Sequence, residues 1–323
     1  MLRAAAMSAP RPSITAWAVT TGENGMRTQA RGLAQAVANV VIEKTVRGGL
    51  DWPWRTGGLS DSVGPPWPEV MITCGRRSAL ATAAARKASR GRTLAVHVQD
   101  PKMSAGSFDL VVAMEHDAIK PGGNVIKVAT ALHDLTPENL AAAGAAWSDR
   151  LAPLGRPLVG VAIGGDLKGR PFTHADGCAL LAGLKRLRRE AHASLAITPS
   201  RRTPTAVRER LEEAFADDPA VFIWNLEGDN PYRAILASAD RLVVTSDSVS
   251  MVSEALATGR PVEVLDLGFA RHNSFIQGLA DRGLLRRFEG DPVPPPTADP
   301  VNATLQAAEA VRLLLQARTG VVG

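Results

Sequence analysis

The stretch TSDSVSMVSEALATGRPV, residues 245–262, gathers four serines, an aspartate and a glutamate directly after the apolar run RLVV. A helix start needs one capping oxygen, so the surplus of hydroxyls implies a bound group as well. Ser248 or Ser250 supplies the cap, Ser246 stands just ahead, and Gly259 with Pro261 ends the helix. The first turn of such a helix presents unsatisfied backbone N–H groups, which suit a phosphate. Glu254 follows Ser250 by one turn and lies on the same face. A carboxylate there can accept hydrogen bonds from ribose hydroxyls, as an acid does in dinucleotide folds.

Other loops take the same position after a strand. In AIGGDLKGRPFT (162–173), Gly164 and Gly165 allow an anion to approach the backbone, with Lys168 and Arg170 adding charge. The spacing is not GxxxxGK[ST], so no P-loop is implied. In TPSRRTP (198–204), Thr203 reads as a helix N-cap, while Ser200, Arg201 and Arg202 are suited to hold a diphosphate. In IWNLEGDNPYRAIL (223–236), Trp224 and Tyr232, with Asn225 and Asn230, are able to enclose a nucleobase, although the same residues are common in plain turns. In the first half, TTGENGMRTQARGL (20–33) places Gly22 and Gly25 after a strand but lacks GxGxxG, which argues against a dinucleotide oxidoreductase. Arg76 and Arg77 mark another strand-to-helix turn. Glu115, His116 and Asp117 follow a further strand, where a general base can sit.

These loops need a scaffold, and the rest of the chain describes one. Strands are predicted at 14–21, 70–75, 93–98, 108–113 and 124–130, with helical patterns between most of them. TPENLAAAGAAW begins a helix with Thr136 as N-cap and Pro137 at its first position. After RLAPLGRP (150–157), a linker-like stretch, a second series starts at LVGVAIGG (158–165) and alternates through PVEVLDL. Two such series predict an α/β protein of two doubly wound Rossmann-like domains facing across a cleft. The domains are placed at 1–150 and 151–300, with a helix in 301–323 packing back on the first. The Gly-, Pro- and Trp-rich stretch 48–69 reads as an insertion.

Composition narrows the class. The 323 residues are 45% hydrophobic and 21% charged, a soluble globular balance. Only Cys74 and Cys178 occur, without a CxxC or Cys/His cluster, so neither a metal site nor a disulfide framework is expected. The net charge of +5 suits anionic partners. The opening MLRAAAMSAPRPS has no signal-peptide core, and no apolar run reaches the roughly 18 residues of a membrane span. A cytoplasmic protein is expected.

Taken together, TTGENGMRTQARGLA, CGRRSA, EHD, IGGDLKG, TPSRRTP, DNPYRAILASAD and VTSDSVSMVSEALATGRPV resemble a family of bacterial proteins and the plant "elongate mitochondria" fission factor. That family's pattern is similar to GT-B glycosyltransferases, notably the one that adds N-acetylglucosamine to the lipid-linked peptidoglycan precursor. The resemblance implies a nucleoside diphosphate sugar as donor substrate, with no tightly bound cofactor and an unknown acceptor. The second domain would take the donor and the first the acceptor. Ser246 to Met251 would bind the diphosphate, Glu254 the ribose, and Gly164 and Gly165 would form the glycine loop. Gly22 and Gly25 match the first-domain loop, but Met26 stands where the pattern has histidine. A base must then come from elsewhere, with Glu115, His116 or Asp117 expected. The plant relative's role implies an alternative, a non-catalytic adaptor with protein partners or peripheral contact at the inner membrane. No nucleic acid partner is expected. A nicotinamide-dependent epimerase would need Tyr-x-x-x-Lys, whereas Tyr232 is followed by Leu236.

Overall fold

The computed structural model describes residues 13–46, 63–167 and 169–319. The described chain divides into two compact units. Unit 1 takes the residues up to Ala113, Asp117–Val128 and those from Thr304 onward; unit 2 takes Met114–His116 and Ala129–Ala303.

Unit 1 is a six-stranded sheet of order β2-β1-β3-β4-β5-β6. The strands are β1 (Thr15–Thr20), β2 (Val40–Thr45), β3 (Val70–Cys74), β4 (Leu94–Val98), β5 (Leu110–Met114) and β6 (Val125–Val128). Helices α1 (Asn24–Val37) and α2 (Ala79–Ala88) connect parallel neighbours. β3 and β4 are buried at every residue, as expected of parallel strands covered on both faces. β2 was not anticipated. It is an edge strand that exposes Val40 and Ile42 and carries Glu43 and Lys44, so it lacks the apolar run that marks the inner strands. Helix α10 (Ala303–Thr319) also belongs here, with the Arg312 guanidinium donating to the Ala36 carbonyl and Arg318 paired with Asp109 at 2.9 Å.

Unit 2 begins with the segment 129–136, followed by α3 (Pro137–Ala146) and α4 (Ser148–Leu151). The boundary therefore lies at 128/129, ahead of the linker-like 150–157 stretch. The reason is packing. Trp147 and Leu151 share a buried cluster with Leu158 and Ala196 of the second sheet and with Ile235 of the helix Tyr232–Ser238. Thr136 caps α3 by accepting from the Asn139 N–H, with Pro137 at the first helical position as predicted.

The second sheet has the order β12-β11-β10-β7-β8-β9. Its strands are β7 (Leu158–Ile163), β8 (Ser194–Pro199), β9 (Val221–Ile223), β10 (Arg241–Thr245), β11 (Val262–Leu265) and β12 (Arg286–Arg287), all parallel. Between them run α5 (His174–Glu190), α6 (Thr205–Phe215), α7 (Tyr232–Ser238), α8 (Val249–Ala257) and α9 (Ala270–Asp281). The chain winds from β7 outward to β8 and β9, then returns to the other side of β7 for β10. Such a reversal opens a crevice beyond the carboxyl ends of β7 and β10, where open α/β sheets bind ligands. Among the described residues no helix is long and apolar enough to cross a membrane.

Candidate functional site

The loops after β7, β8 and β10 meet at this reversal. The Gly164 N–H donates to Thr245 Oγ1 (2.7 Å) and the Gly165 N–H to Asp247 Oδ2 (2.9 Å). Thr245 Oγ1 also donates to Asp247 Oδ1 (2.6 Å), and Arg202 Nη2 reaches Asp247 Oδ2 at 2.9 Å. Asp247 is buried, so its charge is compensated by these donors rather than by water. A Cβ on Gly164 would fall 2.0 Å from Asp247 Oδ2, and one on Gly165 would fall 1.9 Å from the Arg202 carbonyl oxygen. The protein's own close contacts thus suffice to require glycine at both positions. Thr203 also differs from expectation. Its hydroxyl donates to the carbonyls of Ile163 and Gly164, and α6 has no side-chain cap. Ser200 Oγ donates to the Gly164 carbonyl (2.9 Å).

The serine surplus resolves into separate tasks. Ser246 is buried and its Oγ accepts from the Leu267 N–H (2.8 Å), bracing the β10 loop against the one after β11. Ser248 is the N-cap, accepting from the Met251 N–H at 3.3 Å. Ser253 accepts from the Ala131 N–H (2.9 Å) and donates to the Val249 carbonyl. Ser250 is partly exposed and its hydroxyl has no hydrogen-bond partner among the described residues. The N–H groups of Val249 and Ser250, first in α8, likewise find no acceptor there. Two donors and one hydroxyl therefore remain at the end of this helix, beside partly buried Met251.

Glu254 lies one turn deeper and is 8% exposed. Tyr232 Oη donates to its Oε2 at 2.5 Å, while Oε1 has no partner among the described residues. Burial pushes the Glu254 carboxyl up to about 7, the Tyr232 hydrogen bond and Arg233 opposing that rise and Asp134 adding to it. Arg233 is itself held by Asp134 (2.6 Å). The segment Thr130–Asp134 is buried throughout and supplies both Asp134 and His133, whose imidazole burial pushes down to about 4. Sequence reasoning missed Asp134, and it placed Arg202 and Asp247 in anion-binding loops without anticipating that they pair with each other. The signal for the first was a His-Asp pair inside the apolar run TALHDL.

Other expected residues are spent locally or face solvent. Trp224 Nε1 donates to the Glu227 carbonyl (2.8 Å), and Asn230 Oδ1 accepts from the Tyr232 N–H (2.9 Å), so both build their own loop. Arg201 is exposed and without a partner among the described residues, whereas Lys168 lies outside them. In unit 1, Arg76 and Arg77 are exposed at the β3–α2 turn. Gly22 adopts φ +102°, and the Gly25 carbonyl accepts from Gln29 Nε2 (3.2 Å). Met26 packs against Gly75, where a Cβ would fall 2.2 Å from its Sδ. Glu115 is exposed and paired with Arg282 (3.2 Å), and the His116 ring lies 5.3 Å from Phe275. Asp117 falls in unit 1, where its carbonyl accepts from Lys127 Nζ (2.6 Å). A cavity of about 470 Å³ in unit 1, beside Trp17, Lys44 and Trp67, includes none of the predicted site residues.

Two parallel sheets of this topology, with loops converging at the carboxyl ends, define a GT-B-like α/β protein. The chain superposes on UDP-GlcNAc 2-epimerase from Methanocaldococcus jannaschii with a TM-score of 0.61, at 12% identity, covering 93% of this chain and 99% of that one. The glycotransferase of kitacinnamycin gives 0.54, at 14% identity, covering 95% and 100%. At such identities the likeness is one of fold. The chain belongs to the mitochondrial fission ELM1 family, whose sequence model matches residues 24–315. Mitochondrial fission protein ELM1 of Arabidopsis thaliana is 31% identical over 277 residues, which cover 78% of this chain and 65% of the plant protein's length.

Proposed function

We propose that unit 2 binds a nucleoside diphosphate sugar and that the protein is a glycosyltransferase of GT-B type. One observation carries this reading. The α8 start offers two unpaired N–H groups to a phosphate, and the buried Glu254 keeps one oxygen uncommitted one turn away. Exposed Arg201 supplies charge for the diphosphate. The M. jannaschii epimerase with this fold is in complex with UDP-GlcNAc and UDP, which is consistent with that ligand class. In transfer, an acceptor hydroxyl bonds to the anomeric carbon, the bond from that carbon to the diphosphate breaks, and the nucleoside diphosphate leaves. The acceptor proton goes to a base. His116 is the candidate, since Glu115 is paired with Arg282.

A second reading, a non-catalytic nucleotide-binding adaptor acting through protein or membrane partners, is favoured by Met26, which stands at the start of α1 where histidine was expected and packs on Gly75. Calorimetric titration with a panel of nucleoside diphosphates and their sugars tests the binding. Micromolar affinity is expected for one of them, weakened about tenfold in Glu254→Ala and in Arg201→Ala. Absence of binding by every compound overturns the proposal. Binding without hydrolysis or transfer of the sugar selects the adaptor.

A further inference from the structure

We infer that Tyr232 is the residue that makes this site selective for ribose, by committing one oxygen of Glu254 and leaving the other for the sugar. The inference rests on the nucleotide reading above. Tyr232 is the one tyrosine of the chain. It opens α7, where Asn230 Oδ1 holds its backbone N–H, and its ring packs in the cluster that contains Leu236, Val252 and Met251. Ring and backbone are thus both fixed, and the hydroxyl is aimed at Glu254 Oε2 across 2.5 Å.

A phenol held protonated by its surroundings can only donate to an ionised carboxylate. Burial and the adjacent Glu254 raise the Tyr232 hydroxyl well above its ordinary value, so the proton stays on Tyr232. The consequence for Glu254 is geometric. A carboxylate with one oxygen anchored cannot turn, and once Glu254 is ionised, above about pH 7, its second oxygen points in one direction as a pure acceptor, so the titrations below are made at pH 8. Ribose presents two adjacent hydroxyl donors, which suit such an acceptor. A 2′,3′-dideoxy sugar presents none and would leave Oε1 desolvated without a partner. Removing the Tyr232 hydroxyl frees the carboxylate to rotate and leaves it less stabilised, so the advantage of ribose should shrink while contacts to base and phosphate persist.

The probes are UDP and 2′,3′-dideoxy-UDP, titrated into the folded wild type, Tyr232→Phe, Glu254→Gln and the double variant. Phe keeps the ring that packs in the cluster. Wild type is expected to prefer UDP by about tenfold or more, and Tyr232→Phe to narrow that ratio to about threefold or less with dideoxy-UDP affinity unchanged. In Glu254→Gln, adding Tyr232→Phe should change the ratio no further. An unchanged ratio in Tyr232→Phe, with UDP still bound, overturns this inference and leaves the nucleotide proposal standing. Equal weakening of both ligands also overturns it, since that marks a purely structural tyrosine. If wild type binds neither ligand nor any other nucleoside diphosphate, the nucleotide proposal falls and this inference with it.

Discussion

The two sheets share their architecture, yet the crevices at their reversals differ in chemistry. In unit 1 the first turn of α1 fills the space beside Gly75 with the Met26 side chain, and Arg76 and Arg77 face solvent. In unit 2 the corresponding loops enclose a buried carboxylate, Asp247, that ties together segments 82 residues apart in the chain. Next to it stand an uncommitted helix N-terminus and Glu254. A shared parallel α/β architecture, here with different strand orders, therefore does not imply a shared site; loop residues decide which crevice can hold a charged ligand.

The glycines should expose this difference most strongly. In Gly165→Ala the new methyl meets backbone, the Arg202 carbonyl, which cannot move without breaking the loop. A loss on the order of 3 kcal/mol is expected by urea unfolding. Gly75→Ala in unit 1 meets the flexible end of Met26 and adds strain at φ +90°, for which about 1–2 kcal/mol is expected. Equal losses would mean that the unit 2 loop is no more tightly built than its counterpart.

The pH dependence of stability separates the units next. Burial holds Glu254 at about 7 against an ordinary 4.5, so the unfolded chain loses this proton first. Stability is then fully present below about 4.5, falls as pH rises through about 7, and remains reduced above. Glu254→Gln removes the titration and is expected to gain on the order of 1–3 kcal/mol over wild type at pH 8 relative to pH 4. Unit 1 bears the opposite dependence. Burial pushes His97 down to about 3 from 6.5, so its contribution is present above 6.5 and is lost as pH falls toward 3. His133 of unit 2 adds a similar loss between 6.5 and about 4, which leaves the alkaline side as the distinguishing range. A Glu254→Gln profile parallel to wild type would remove the unusual carboxyl.

The smallest expected effect concerns exposed arginines. Arg201→Ala should weaken nucleoside diphosphate binding about tenfold, and Arg76→Ala or Arg77→Ala less than about twofold. The reverse order, measured by calorimetry, would move the anion site to unit 1.

Much of the scaffold was legible because inner parallel strands are continuous apolar runs. β7 and β10 could be read from LVGVAI and RLVVT alone. The edge strand VVIEKT was not legible, since an exposed strand with charges carries no such run. The helix that Glu254 shares with the serines could likewise be read from its cap and closing glycine. Partners could not. Whether a serine binds a ligand or braces a neighbouring loop depends on contacts such as Ser246 with Leu267, 21 residues away, and Tyr232 with Glu254, 22 residues away. The same spacing of side chains would suit either arrangement, and only packing selects one.

The chain leaves unit 1 after Val128 and re-enters it at Thr304, with α10 the last described helix. During synthesis this order matters. The ribosome makes the seven described α-helices α3–α9 and the six strands of the second sheet before Arg312 and Arg318, which anchor α10 to Ala36 and Asp109, exist. The unit encoded first is therefore finished last, and its nascent sheet must wait for a helix translated after the whole of its neighbour.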